Sequence, residues 1–295
     1  MISDEEFCGS GELKRQMGEA VEKGTIAHAI LLCAERGTGR NYFARLFARD
    51  YLRDNADLVL RRRHPDCLEL RGEGASGEIS VDALRATVFE MSKSAVTSDG
   101  RRIVIIEDSA NLNRSSATAL LKTLEQPNDG VVFFMTADAP DDVFETIRSR
   151  CVVHFIMPPS IDECARFISA KRSGTETELV EKFSALFRGR IGPVLRALDE
   201  QDFRDSVSRG ERLITGYMND DRLEMLSALD SAGDRKDVSD TLFAAVFFLA
   251  EKSGGQYRTK AVKVIEKMKA NVKSTPLKLF STMLAGQLAE TRRAI

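Results

Sequence analysis

No run of apolar residues approaches the roughly 20 that a membrane-spanning helix needs. The longest, Leu242 to Ala250, is nine residues and reads as a buried core helix. The opening stretch, Met1-Ile-Ser-Asp-Glu-Glu, is acidic and lacks an apolar segment, so no signal peptide is expected and a cytoplasmic protein is the default. Cysteine is sparse. Cys8, Cys33, Cys67, Cys151 and Cys164 are odd in number and widely spaced, which gives no disulfide framework. The three histidines, His28, His64 and His154, do not join them at ligand spacing, so no metal and in particular no structural zinc is expected. Internal repeats and low-complexity tracts are missing as well.

What remains is an ordinary globular mix of 295 residues, 43% hydrophobic and 30% charged. That length suggests two domains, or three. The formal net charge is −2, but it is unevenly spread. Residues 251–295 carry ten Lys/Arg against three Glu, a local excess of +7. A solvated helix face is the plain reading; contact with an acidic partner or nucleic acid is the sharper one. No aromatic platform interleaves those lysines, and the sequence pI near 6.1 argues against strong independent DNA binding.

The first half alternates short apolar runs with longer periodic ones. Strands are expected at Ala29–Cys33, Cys67–Leu70, Ile103–Ile106, Val131–Met135 and Val152–Ile156, most of them continuously apolar and therefore buried on both faces of a parallel sheet. Helices are expected near 11–23, 41–53, 80–92, 114–125 and 141–148, as crossovers between parallel strands. After Ile156 the pattern changes. Pro158-Pro159 breaks the chain, Ser160-Ile-Asp-Glu163 is a capping box, and the remainder reads as helical. Breaks are expected at Ser173-Gly174, Gly189 to Pro193, Ser231-Ala-Gly233 and Ser253-Gly-Gly255, and Val262, Ile265, Met268 and Val272 mark one apolar helix face. The expected division is an α/β domain at 1–156, a small helical domain at 157–205 and a helical C-terminal domain at 206–295.

The strand Ile30-Leu31-Leu32 runs into Cys33-Ala-Glu-Arg-Gly-Thr-Gly-Arg-Asn41 and then a helix. That is the setting of a phosphate loop, where backbone N–H groups at a helix N-terminus wrap a phosphate. The pattern G-x-x-x-x-G-K-[ST] is met only in part: Gly39 fits and Gly37 keeps the turn flexible, but Ala34, Arg40 and Asn41 replace its Gly, Lys and Ser/Thr. Arg is forked where Lys is a point charge, and Asn has no hydroxyl for Mg²⁺. The strand 102–106 ends in Glu107-Asp108, the reverse of the Asp-Glu order that coordinates Mg²⁺ and activates water. Loss of ATP hydrolysis is the better reading of the two defects, set against a plain glycine turn and a strand-end acidic pair.

Further on, Ala119-Leu-Leu-Lys-Thr-Leu-Glu-Gln-Pro127 is followed about 25 residues later by Thr146-Ile-Arg-Ser-Arg-Cys151. In combination these motifs resemble the AAA+ subunits of the bacterial sliding-clamp loader of DNA polymerase III. The stretches Gly11-Glu-Leu-Lys-Arg15, Ile26-Ala-His-Ala-Ile-Leu-Leu32 and His64-Pro-Asp66 are similar too, and the likeness covers roughly 7–200. It implies an α/β AAA+ domain with a parallel five-stranded sheet, a helical lid and an all-α collar that oligomerises. Active γ/τ subunits of that family keep the loop Lys and Thr, the Asp-Glu pair and a sensor Arg in G-x-x-R; here Gly189-Arg-Ile-Gly192 ends in Gly. A decayed ATP site beside an intact Ser149-Arg150-Cys151 is similar to delta-prime subunits. The resemblance further implies Arg150 as a finger acting in trans on a neighbour's ATP, with Ser149 and Cys151 orienting the turn. No cofactor of the chain's own is then required, ATP and Mg²⁺ being bound by partner subunits. The partners implied are γ/τ and delta sister subunits and, indirectly, the sliding clamp and primer-template DNA, with no membrane. Taken alone, Arg150 reads as a helix-end charge facing the dipole or pairing with Glu145. An active AAA+ ATPase of the γ/τ or remodelling type with an atypical loop is the alternative.

Overall fold

The computed structural model describes residues 1–53, 56–73, 77–172, 174–252, 255–269, 271–272 and 275–293. The expected breaks at Ser173 and Ser253-Gly254 lie outside the described residues. The chain divides into two compact units, one of Met1–Lys171 with Gly189–Gly192, the other of Arg172–Arg188 with Pro193–Ile295.

The first unit runs α1 (Gly11–Lys23), β1 (Ala29–Cys33), α2 (Arg40–Leu52), α3 (Ala56–Leu60), β2 (Cys67–Leu70), α4 (Val81–Met91), β3 (Arg102–Ile106), α5 (Arg114–Glu125), β4 (Val131–Ala137), α6 (Glu145–Arg148), β5 (Val152–Phe155) and α7 (Ile161–Lys171). All strand pairs are parallel, in the order β2-β3-β4-β1-β5. Side chains alternate across the sheet. Ile30, Leu32, Ile103, Ile105, Val132 and Phe134 face one core with Met17, Phe43 and Phe47. Leu31, Val104, Ile106, Phe133 and Met135 face the other with Leu84, Leu120 and Ile147. Burial on both faces therefore explains the continuous apolar runs of β1, β3 and β4. It does not extend to β2 and β5, which are the edges and only partly covered, with Val152 and Phe155 exposed. The short α3 has no counterpart in the expected elements. Nor does one helix span 141–148: a 3₁₀ turn at Pro140–Asp142 and the single turn α6 stand there, because the chain turns extended at Val143 to bury that side chain.

The expected capping box is formed: Ser160 N–H donates to Glu163 Oε2 at 2.9 Å and Glu163 N–H to Ser160 Oγ at 3.2 Å. His64-Pro65-Asp66 is a structural knot. The fully buried Asp66 carboxylate accepts from Val96 N–H (2.9 Å) and Thr97 N–H (2.7 Å) and lies 3.1 Å from Arg102 Nε, while its own N–H donates to His64 Nδ1.

Beyond α7 come α8 (Thr177–Leu186), α9 (Ile191–Asp199), α10 (Gln201–Asn219), α11 (Arg222–Asp230), α12 (Arg235–Lys252), α13 (Gly255–Lys269) and α14 (Leu277–Arg293). The break expected over Gly189 to Pro193 is shorter than that, since α9 starts at Ile191 and holds Pro193 in its first turn, where a missing N–H costs nothing. In the second unit α10 lies close against α12: a Cβ on Gly210 would sit 2.9 Å from Thr241 O. Phe187 stacks with Phe203 of α10 and Phe243 of α12, centroids 6.0 and 6.2 Å apart, and meets Phe247 of α12 edge-on at 5.3 Å. Arg196 grips Asp240 through both nitrogens, at 3.1 and 2.7 Å. The nine-residue apolar run falls within α12; of the expected apolar face Ile265 and Met268 are buried on α13 and Val262 is half-buried, while Val272 is buried in the turn after that helix ends. No helix among the described residues is long and apolar enough to cross a membrane.

Candidate functional site

The segment between β1 and α2 turns through Gly37 and Gly39, both left-handed at φ 93° and 91°. These conformations require glycine, and at Gly39 a Cβ would also lie 3.2 Å from Phe7 Cε2. The loop is occupied by the protein's own groups. Arg40 Nη1 donates to Ala34 O at 2.6 Å, and the guanidinium pairs with both Asp108 and Asp138. Only 11% of the Arg40 side chain is exposed. Burial pulls its pKa down, but the two carboxylates outweigh this and the net direction is upward. Asn41 spends its amide oxygen on Thr136, accepting from Oγ1 at 2.8 Å, and Thr136 Oγ1 accepts from Asp108 N–H at 3.0 Å.

The two acids that end β3 part company. Glu107 shares the strand parity of Ile103 and Ile105, which face α2, so its side chain turns to that side. There it accepts from Arg45 Nη1 at 2.9 Å and Arg62 Nη2 at 3.1 Å, 8% exposed. Glu69 completes the cluster, 3.1 Å from Arg62 Nε and 3.6 Å from Arg45 Nη1. Burial raises the Glu69 pKa against the pull of both arginines. Asp108, left-handed at φ 52°, joins the loop instead. Of the expected phosphate-site residues, Gly37, Gly39, Arg40, Asn41 and Asp108 are thus gathered, and Glu107 is not.

The stretch Gly189–Gly192, set against the sensor pattern in the sequence, also meets the loop. Gly192 N–H donates to Gly37 O at 3.0 Å, and a Cβ on Gly192 would lie 2.9 Å from that same oxygen. Arg190, next to it, pairs with Glu35 of the loop. Backbone against backbone leaves no room for a larger residue at 192 without a shift.

Arg150 lies on the turn between α6 and β5. Its Nη1 donates to Thr146 O at 2.8 Å and to Ser149 Oγ at 3.4 Å, and its Nη2 donates to Glu125 Oε1 at 2.5 Å. The pairing expected with Glu145 does not form; Glu145 opens the single-turn α6, and the carboxylate within reach is the last residue of α5. Arg150 keeps 36% of its side chain exposed. Ser149 Oγ donates to Thr146 O at 3.2 Å and Cys151 Sγ to Ile147 O at 3.1 Å, so both tie down the turn. Burial pushes the Cys151 thiol to about 12, which makes it no nucleophile at neutral pH. Asp138, Thr136 and Glu125 were not singled out from sequence, although Glu125 stands inside the Leu-Leu-Lys-Thr-Leu-Glu motif. Among the described residues no group of three or more His, Cys, Asp or Glu is placed to hold a metal ion.

A parallel sheet with a glycine loop leaving the C-terminal end of β1 for a helix N-terminus, and an all-helical continuation, defines an AAA+ fold of the P-loop class. The solved structures agree on the fold. A DNA polymerase III gamma-subunit-related protein of Thermotoga maritima superposes with TM-score 0.57 at 17% identity, covering 95% of this chain and 99% of that one. The T. maritima RuvB Holliday junction branch migration motor gives TM-score 0.51 at 12% identity over 92% and 86%. Residues 9–160 match the family model described as "DNA polymerase III, delta subunit", and the chain belongs to that family. DNA polymerase III subunit delta' of Escherichia coli is 28% identical over 167 residues, 57% of this chain and 49% of that protein. Subunit delta' of Pseudomonas aeruginosa is 29% identical over 175 residues, 55% and 53%. The chain thus spans about half the length of these two relatives.

Proposed function

We propose that this protein is a non-hydrolysing, delta-prime-like subunit of a sliding-clamp loader. In this reading its phosphate loop binds no ATP for turnover, and Arg150 serves a neighbouring γ/τ-type subunit that holds Mg²⁺-ATP. The segment 157–205 would be the family's lid and the collar at 206–295 would join sister subunits, with the clamp and primer-template DNA reached through the assembly. The observation that carries the reading is the contrast in charge: Arg40 is spent on Asp108 and Asp138, whereas Arg150 is exposed. A phosphate arriving at the loop would have to displace two carboxylates from one guanidinium. It would find no hydroxyl at Asn41, and Glu107 is held away from the loop by Arg45 and Arg62. Phosphoryl transfer elsewhere develops charge that an arginine presented from outside can stabilise, typically by 10³–10⁵ in rate.

The test has two arms. The isolated chain, incubated with Mg²⁺-ATP, is expected to turn over no faster than buffer; a rate of about 1 s⁻¹ or more would sink the non-hydrolysing reading. Mixed with γ/τ and delta subunits, it is expected to co-elute on gel filtration and to be required for ATPase stimulated by clamp and primed DNA. Failure to co-elute would remove the clamp-loader assignment itself.

A further inference from the structure

Arg150 is not simply exposed; three acceptors on two segments hold its guanidinium. Thr146 O and Ser149 Oγ come from its own turn, and Glu125 Oε1 comes from the end of α5, 25 residues earlier. A guanidinium has five donors in a fixed fork. These contacts use three of the five, two on Nη1 and one on Nη2, and leave Nε–H and one Nη2–H for a ligand. An unrestrained surface arginine samples many rotamers, and fixing it on binding costs affinity or rate.

We propose that Glu125 is a positioning residue for Arg150: its carboxylate holds the guanidinium in the orientation in which it meets a neighbour's γ-phosphate, without itself touching nucleotide. The inference rests on the trans-acting role of Arg150 proposed above. It also gives a reason for the two motifs to occur together in one chain. The Glu of Leu-Leu-Lys-Thr-Leu-Glu and the Arg of Thr-Ile-Arg-Ser-Arg-Cys are the two halves of one contact. Lys122, on the same helix, is exposed and does not substitute, since it carries the wrong charge to hold an arginine.

A double-mutant cycle in the reconstituted complex tests this, with steady-state ATPase measured with clamp and primed DNA against ATP concentration. Glu125→Ala is expected to lower turnover at the ATP site that Arg150 serves about 2–10-fold, and kcat of the complex by a smaller factor that does not exceed the effect of Arg150→Ala, with KM for ATP unchanged. Glu125→Gln, which keeps an acceptor oxygen, is expected to recover part of that loss. In an Arg150→Ala background, Glu125→Ala is expected to have no further effect. Normal gel-filtration assembly of each variant separates a positioning defect from a folding defect. If Arg150→Ala lowers kcat but Glu125→Ala does not, the positioning role is overturned while the finger stands. If Glu125→Ala costs as much in the Arg150→Ala background as alone, its role is structural and the proposal also falls. If Arg150→Ala itself has no effect, the finger reading fails and this inference with it.

Discussion

Arg40 and Arg150 are both bound to carboxylates, yet they end in opposite situations. Arg40 lies between Asp108 and Asp138 with 11% of its side chain exposed, and the loop around it is closed by Phe7, Gly192 and Arg190. Arg150 has one carboxylate, two weaker acceptors and 36% exposure. One arginine has its charge neutralised inside the fold and the other presents it at the surface. In the proposed reading, then, one α/β unit holds inside its fold the groups that would bind its own phosphate and leaves outside the group that would serve another chain's.

The sharpest way to break this comparison is at Arg150. Arg150→Ala is expected to lose on the order of 10³-fold or more in rate at the ATP site it serves. In the proposed assembly the total ATPase would fall less, since other interfaces would keep their own arginines. Arg150→Lys should rescue poorly, lacking the planar fork. Folding is expected to change by under about 0.5 kcal/mol, as for an exposed ion pair. Equal ATPase with normal assembly would return Arg150 to a helix-end charge.

On stability the order reverses. Arg45→Met leaves Glu69 and Glu107 buried with Arg62 as their remaining named cation, and should cost about 3–5 kcal/mol. Arg40→Met should cost less, about 1.5–3 kcal/mol, because Asp108 and Asp138 are about half exposed and can turn to water. Urea midpoints of the two variants beside Arg150→Ala decide it. If Arg40→Met proves as mild as Arg150→Ala, Arg40 is not part of the internal structure and the loop is open to ligand.

Gly192 probes the same closure from the backbone. Gly192→Ala would bring its Cβ to 2.9 Å from Gly37 O and should destabilise by about 1–3 kcal/mol. A neutral Gly192→Ala would mean that this stretch stands off the loop, with space for the arginine the family pattern lacks here.

Much of this was legible in the sequence, and the failures have physical causes. β1, α1 and α5 run where expected, because continuous apolar and periodic runs are local signals; the Asn113 cap of α5 appears only in the structure. The loop glycines and the Ser149-Arg150-Cys151 turn were also local. The split of Glu107 from Asp108 could have been read from strand parity, since Glu107 continues the series Ile103, Ile105. The partners of the two arginines could not. Asp138 is 98 residues from Arg40, and Glu125 ends α5, 25 residues before the turn that holds Arg150. The edge character of β2 and β5 is likewise invisible locally, since it depends on strand order.

The smallest expected effect concerns the N-terminal strap that carries Phe7 onto Gly39. Glu6 pairs with Arg49 of α2, and hydrogen bonding from that guanidinium holds its carboxyl at about 2, below the ordinary 4.5. A carboxylate with a depressed folded-state pKa stabilises above the unfolded value, and that contribution is lost as pH falls toward the folded one. Wild type should therefore melt above Glu6→Gln by a constant margin at pH 6–7, with the gap narrowing below about 4.5 and closing near 2. Glu69, whose pKa is raised, titrates in both proteins and cancels in the difference. The margin itself should be modest, since Glu6 is about one-third exposed. Melting curves of the pair from pH 7 to pH 3 measure it. A gap that stays flat or widens on acidification would detach the strap from the Arg49 contact, and with it one of the supports that keep the loop closed.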